Sequence, residues 1–246
     1  MIKKLSSFFF ALVLTSNAMP AACSSSTQQP SADDSSSSPR IDNRTLNLEF
    51  VKAFHSKASC EEILALIAAG ADVNCYYNGS TCLHYAANNG MADHLSLLLR
   101  NRANPELRSA TLLRTPLHEA VSSLHLECVK RLVQHGADLN AREHSGGTPL
   151  HFAVMSSSVE RENPKIEQLK INIINMLIYK RFSQSVGSST DSITEKNNIN
   201  LDAQNMFGHT ALHVAYLSGY KNIAQVLLQA GANPRIPDIF GQTVAR

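Results

Sequence analysis

The sequence predicts an all-α repeat solenoid, and three observations lead to this fold class. The first is a pattern that begins with Thr and has four copies, at Thr81, Thr115, Thr148 and Thr210. The second is a Gly-Ala-Asp or Gly-Ala-Asn pattern, with copies at Gly70, Gly136 and Gly231. The third is a constant spacing, because the second pattern follows the first by 21 residues in two copies. A fixed period of about 33 residues is typical of stacked structural repeats.

Each Thr pattern predicts the start of a helix. Thr115 and Thr148 are good N-cap residues, since their hydroxyl can accept a hydrogen bond from the first helical turn. Pro116 and Pro149 follow directly, and Pro suits the first turn, where its missing N–H is not needed. Residues 127–133 then place apolar side chains on one stripe and predict a second helix. The Gly of the second pattern ends that helix, because Gly adopts the left-handed backbone that a C-cap requires.

A His stands three residues after each Thr, so the repeated residue is a candidate metal ligand or a structural residue. The four are His84, His118, His151 and His213. Helices of neighbouring units pack about 10 Å apart, whereas zinc needs nitrogen ligands at about 2.0–2.1 Å. One metal therefore cannot collect the four rings. We expect each ring to hydrogen-bond to Thr or to the backbone of the adjoining turn and to hold the units together.

The two patterns resemble the ankyrin repeat, with its T-P-L-H-x-A opening and G-A-D-x-N close, over about residues 45–246. The resemblance implies helix-turn-helix units joined by β-hairpin-like turns. It also implies binding of a protein partner through the turn tips and the inner face of each first helix. The matching residues are Tyr76, Tyr77, Asn78, Asn88, Asn89, Leu112, Arg114, His144, Met155, Met206, Phe207 and Leu217.

The phase divides the repeat region into five units and a fragment. The units are 45–75, 76–109, 110–142, 143–204 and 205–237, with a partial unit at 238–246. The first unit lacks the Thr pattern, but residues 61–69 predict its second helix. The fragment holds no complete polar capping unit, so either the end is short by nature or a partner covers it.

The fourth unit carries about 29 inserted residues in two places. About 12 lie between its two helices, around residues 161–170, where we predict a mixed-charge helix or loop in solvent. About 17 follow its second helix, at residues 182–198. This second insertion is Ser-rich and Asn-rich, and it is either a finger for a partner or a disordered loop.

Residues 1–22 have the three-part pattern of a bacterial secretory signal peptide: a positive start, the apolar run at 8–14 and small residues before Cys23. The run is shorter than the roughly 20 residues that span a bilayer. Cleavage after Ala18 is one fate. The other follows from a resemblance to the bacterial lipobox, in which Cys23 is lipidated, although Pro20 stands where Leu is usual. Residues 23–44 form a Ser-rich flexible tether.

Composition excludes several function classes. A formal net charge of +2, with 17% charged residues, gives no strong field for nucleic acid. The spacing of Cys60, Cys75, Cys82 and Cys128 is not that of a zinc site. Cys75 and Cys82 either approach each other across a turn or, like the other two, are small buried apolar residues. We predict no cofactor, no metal and no small-molecule substrate.

These observations predict a non-catalytic scaffold of the bacterial cell envelope that binds a protein through the concave face of the solenoid. It would lie in the periplasm or be anchored in the membrane through Cys23. An alternative is a secreted effector of the same fold that binds host proteins. A third is an enzyme that uses a histidine such as His144 or His151.

Overall fold

A computed structural model describes residues 43–155, 163–179 and 197–244 of the chain. The predicted signal peptide, nearly all of the predicted tether with Cys23, and most of the second insertion lie outside these residues. The described part consists of helix pairs stacked in chain order, and the predicted repeat solenoid is confirmed. None of its helices has the length and apolar character needed to cross a membrane.

The five helix pairs follow one another along the chain. They are α1 (Asn43–His55) with α2 (Cys60–Ala68), α3 (Cys82–Asn88) with α4 (Ala92–Arg100), α5 (Pro116–Ser122) with α6 (Leu126–Gln134), α7 (Pro149–Val154) with α8 (Pro164–Ile178), and α9 (Ala211–Leu217) with α10 (Lys221–Ala230). The second helices pack on one another in a row, and so do the first helices from α3 onward. Two helical layers result.

The core lies between the two layers. Leu83 and Leu117 on first helices and Leu98 and Leu132 on second helices are fully buried at equivalent positions of two successive units. Burying a Leu side chain contributes about 2 kcal/mol relative to leaving it in water. Because one unit cannot cover its own apolar faces, the stacking of neighbours supplies most of this burial.

A short hairpin precedes α3 and forms the tip of the second unit. Its strands are β1 (Tyr76–Tyr77) and β2 (Ser80–Thr81), and they pair antiparallel. Asn78 and Gly79 between them have φ values of 48° and 79°. Two positive φ values indicate the type I′ turn, which suits a two-residue hairpin. The loops before the first helices of the later units form the equivalent tips, and backbone hydrogen bonds join each tip to the next. The N–H donors and their carbonyl acceptors are Ala110 to Gly79, His144 to Leu112, Met206 to Ser145 and Ile239 to Phe207.

A ladder of Asn and acidic side chains starts at Asn47 on α1 and continues along the loops that follow the second helices. Asn140 Oδ1 accepts the N–H of Asn200 at 2.7 Å, and Asn140 Nδ2 donates to the carbonyl of Asn198. These two bonds join the loop that follows α6 to residues 198–200, ahead of the last complete helix pair. The equivalent bonds elsewhere join Asn47 to Asp72, Asn74 to Asn104, Glu106 to Asp138 and Asp202 to Asn233.

The structure corrects two boundaries drawn from the repeat phase. Helix α1 begins at Asn43, inside the segment predicted as tether, because its stripe of Leu46, Phe50 and Phe54 packs into the core without a Thr pattern to mark the start. The segment around 161–170, predicted as a solvated insertion between helices, belongs largely to α8. Asn163 caps that helix, with its side chain accepting the N–H of Lys165.

The prediction of a mixed-charge segment in solvent around residues 161–170 also missed a buried cation. Lys170 on α8 is almost fully buried, and its Nζ donates to the carbonyl of Met155 at 2.7 Å. The Nζ also lies 5.1 Å from the centroid of the Tyr220 ring. Met155 is the C-cap residue of α7, where a positive charge is favourable. Lys170 therefore joins the extended part of α8 to the end of α7.

The four cysteines that the structure describes are free thiols. Cys82 and Cys128 are buried, whereas Cys60 and Cys75 are half-buried. Burial, with a smaller contribution from the neighbouring Cys75, raises the pKa of the Cys82 thiol to about 12. Such thiols hold almost no thiolate at neutral pH and react slowly.

Candidate partner-binding surface

The stack has two sides of different character. Tips and first helices lie together on one side, as shown by Tyr77, whose ring lies 5.7 Å from that of His55 on α1. Second helices form the other side. Solvent-exposed charged residues such as Glu127 and Asp93 lie on that second side.

Each repeated Thr and His pair caps a first helix and joins it to the next unit. In the third unit, Thr115 N–H donates to Nδ1 of His118 at 3.2 Å, and the Thr hydroxyl lies 2.9 Å from the same nitrogen. Nε2 of His118 lies 3.3 Å from the carbonyl oxygen of Gly147 in the next unit. The other three pairs make the same contacts: Thr81 with His84, Thr148 with His151, and Thr210 with His213.

These contacts fix the protonation of the rings. Because Nδ1 accepts the Thr N–H, the neutral ring carries its proton on Nε2, which donates to the carbonyl of the next unit. Burial lowers the pKa of His118 to about 4, against the opposing effect of the Gly147 carbonyl. Burial lowers the pKa of His84 and His151 as well. A charged ring would carry a proton on Nδ1 and could no longer accept the Thr N–H.

Most of the predicted partner-binding residues are exposed to solvent. The exposed ones are Tyr76, Tyr77, Asn78, Asn88, Asn89, Leu112, His144, Met155, Met206, Phe207 and Leu217. Among the apolar members the exposed fraction runs from 40% at Tyr77 to 69% at Leu217. These side chains lie on tips and first helices, so their apolar surface is available on one side of the stack.

Arg114 differs from the other predicted partner-binding residues because it is half-buried and held by the fold. Its guanidinium carbon lies 4.7 Å from the centroid of the Phe152 ring, and one of its terminal nitrogens lies 3.7 Å from Glu119. Its carbonyl accepts Nε2 of His84. These contacts make Arg114 a bridge between the second, third and fourth units.

Sequence reasoning missed several exposed residues on the same side. Ile239 and Phe240 stand at the phase of Met206 and Phe207, and Phe240 is 74% exposed. The repeat phase was sufficient to find this pair. Leu113 and Tyr216 are also exposed and adjoin predicted residues. His55 and Tyr85 were missed because α1 lacks the Thr pattern and because Tyr85 is half-buried.

The fold engages both ring nitrogens of the repeated histidines, as His151 illustrates. Both ring nitrogens of His151 are engaged, Nδ1 with Thr148 and Nε2 with the carbonyl of His209 at 3.0 Å. That ring has no free lone pair with which to act as a general base. Within the described ranges, no three residues of the His, Cys, Asp and Glu types are grouped to hold a metal ion.

Comparison with known proteins agrees with the repeat architecture. A family model described as ankyrin repeats in three copies matches residues 47–143 and 83–180, and a single ankyrin-repeat model matches 207–239. The chain is 29% identical over 185 residues, 72% of its length, to the nuclear factor NF-kappa-B p105 subunit of Gallus gallus, of which it covers 16%. It is 32% identical over 163 residues, 63% of its length, to Rabankyrin-5 of Homo sapiens, of which it covers 14%.

A third relative carries the name of an enzyme. The chain is 27% identical over 205 residues, 79% of its length, to the putative palmitoyltransferase ZDHHC13 of Danio rerio, and covers 31% of that protein. In each case the chain therefore spans less than a third of the relative's length.

Proposed function

The chain belongs to the ankyrin-repeat family, whose repeats serve as protein-interaction scaffolds, and we propose that it binds a protein partner through the concave side formed by its tips and first helices. The observation that carries this proposal is the row of exposed apolar side chains on that side. Tyr77, Met206, Phe207 and Leu217 are each at least 40% exposed. Exposed apolar surface of this kind, next to polar residues, is typical of protein interfaces.

Binding of this kind needs no bond chemistry. The Thr and His pairs and the Asn ladder hold the units in a fixed arrangement, so a rigid surface meets its partner at low entropic cost. Specificity then comes from the positions at which the units differ. Tips carry Tyr76 and Tyr77 in one unit and His144 and Ser145 in another.

We expect Phe207→Ala and Leu217→Ala to weaken partner binding about ten-fold each, because anchor residues of interfaces contribute about 1–2 kcal/mol or more. The partner is first identified by crosslinking and mass spectrometry, and its Kd is then measured for each variant. Leu228→Ala is the matched control, since Leu228 is 37% exposed but lies on α10, on the opposite side. Equal loss of binding in the control, or none in the two variants, contradicts the proposal.

The proposal extends to location: an exported protein of the bacterial envelope, tethered to the membrane by lipid on Cys23. Its support is the pattern of residues 1–22 and the Ser-rich stretch that follows. Stable anchoring needs more than one acyl chain, and bacterial lipoprotein modification supplies several.

We expect Cys23→Ser to move the protein from the membrane fraction to the soluble fraction of the bacterial envelope. Fractionation followed by immunoblotting measures the change. Cys60→Ser is the matched control, because it removes a thiol of the repeat region and leaves the tether intact. Recovery of the unaltered protein outside the cell would favour the secreted-effector alternative, and unchanged fractionation of Cys23→Ser would contradict lipidation.

A further inference from the structure

A cavity of about 290 Å³ opens on the side of the tips and first helices. It lies between the β1–β2 hairpin and helices α1, α3 and α5. The side chains that matter for its chemistry are His55, Tyr77, Asn78, Tyr85, Asn88 and Glu119. Its volume is just below the range for ligand pockets, about 300–1,000 Å³. The cavity therefore suits a single long side chain.

Three aromatic rings in contact form one wall of this cavity. The ring of His55 lies 4.2 Å from that of Tyr85 and 5.7 Å from that of Tyr77, measured between centroids. Tyr77 is 40% exposed, so its ring is accessible from solvent. The face of a Tyr ring carries negative potential and attracts a cation placed over it.

A carboxylate with unused acceptor capacity stands at the edge of the cavity. The Glu119 side chain is 20% exposed, and its nearest cation, Arg114, lies 3.7 Å away. That separation is longer than a hydrogen bond, and the guanidinium of Arg114 is placed over the Phe152 ring. No side chain or backbone group of the described residues donates a hydrogen bond to this carboxylate, although an ionised carboxylate can accept several.

We propose that the cavity receives an arginine side chain of the protein partner. The guanidinium would lie against the Tyr77 and Tyr85 rings and donate hydrogen bonds to Glu119. Arginine fits better than lysine because its planar group stacks on rings and can donate two parallel bonds to one carboxylate. This inference rests on the proposed function, since it names the group that the partner presents.

The chemistry of the cavity disfavours a neutral occupant. An aliphatic or aromatic side chain would exclude water from Glu119 without donating a hydrogen bond to its carboxylate, and burying a polar group without such a donor is costly. The amides of Asn78 and Asn88 add polar groups that suit the polar rim of such a site. An arginine satisfies the rings and the carboxylate at once.

The experiment is a titration of the full chain, with ¹³C-labelled Tyr rings, followed by NMR. The probes are N-acetyl-arginine amide and its neutral isostere N-acetyl-citrulline amide. We expect saturable shifts of the Tyr77 and Tyr85 ring signals with the arginine probe and at least ten-fold weaker binding of the citrulline probe. Glu119→Gln should abolish this preference. Glu127→Gln, which alters a carboxylate on the other side of the stack, should preserve it.

Equal binding of the two probes, no binding of either, or an unchanged preference in Glu119→Gln would overturn the inference. Thermal unfolding of Glu119→Gln, expected within about 2 °C of the parent, shows that the variant is folded. The proposed function is tested separately at Phe207 and Leu217, which do not line the cavity. If those variants weaken partner capture while the arginine probe fails, only this inference falls.

Discussion

Replacing His118 by Leu is expected to lower the free energy of unfolding by about 3 kcal/mol. The substitution leaves the N–H of Thr115 without its acceptor and the carbonyl of Gly147 without its donor, at buried positions. An unsatisfied buried polar group costs about 1–3 kcal/mol. Leu fills part of the space left by the ring, which offsets a fraction of the loss, and the edge contact of His118 with Phe152 at 5.4 Å disappears.

The measurement is urea unfolding followed by circular dichroism. His144→Leu is the matched control, because His144 is exposed and its ring makes no hydrogen bond with another described residue. We expect that change to lie within about 0.5 kcal/mol of zero. Since His118 joins the third unit to the fourth, the transition should also lose cooperativity. Similar losses for His118→Leu and His144→Leu would refute a structural role for the repeated histidine.

A double-mutant cycle separates the bond between Thr115 and His118 from the rest of the effect. Thr115→Ala alone should cost about 1 kcal/mol as a lost N-cap. In the His118→Leu background the same change should cost less, because the Thr hydroxyl no longer has its partner. Additive costs would indicate that the two side chains act independently.

The sequence was sufficient to predict the helix pairs and the structural histidines, because both are local. A Thr, a Pro and a His at fixed spacing define the start of a helix whatever lies around them. The boundary at α1 was harder to predict, since only the burial of Phe50 and Phe54 by neighbouring elements marks it. The length of α8 was hard to predict for the same reason, since packing against neighbouring elements marks the extent of this helix. Lys170 looked solvated in a charged segment, yet its position at the end of α7 makes a buried cation favourable.

The sequence predicted single residues of the candidate site but not which of them lie close together. Phase placed Tyr77 at a tip and Phe207 at another, and both are exposed. Phase did not show that Tyr77, Tyr85 and His55 meet, because they come from three elements. Arg114 illustrates the converse. Its position predicted a binding residue, whereas the Phe152 ring of the next unit holds it within the fold.

Lowering the pH is expected to reduce the free energy of unfolding more steeply than it would if the histidines had the same pKa in the folded and unfolded states. The pKa of His118 is about 4 in the folded protein, lowered chiefly by burial, against about 6.5 in an unfolded chain. Between these values the unfolded state binds more protons, so stability falls as pH falls from about 6.5 toward 4. At 1.36 kcal/mol for each pKa unit, His118 alone accounts for a loss of about 3 kcal/mol across this window.

The other groups act in the same direction. The pKa of His84 and that of His151 are also lowered, chiefly by burial, so each adds to the loss below pH 6.5. Burial raises the pKa of Glu143, but hydrogen bonds from Ser145 and Gly147 outweigh that effect and hold its pKa below the usual value. This carboxylate stabilises the folded state above its unfolded pKa, and that contribution is lost as pH falls through the lower end of the window.

Urea unfolding at pH 7.5, 6.0 and 5.0 measures the effect, and a variant at one histidine assigns it. In His118→Gln the free energy of unfolding at pH 7.5 should be lower than in the parent. Its decline toward pH 5.0 should be shallower, because one histidine with a lowered pKa is gone. In His144→Gln the decline should match the parent. If the free energy of unfolding of the parent did not change between pH 7.5 and 5.0, the buried rings would take up protons as readily as the unfolded chain does. The hydrogen bonds from the Thr N–H to Nδ1 would then not hold the rings neutral.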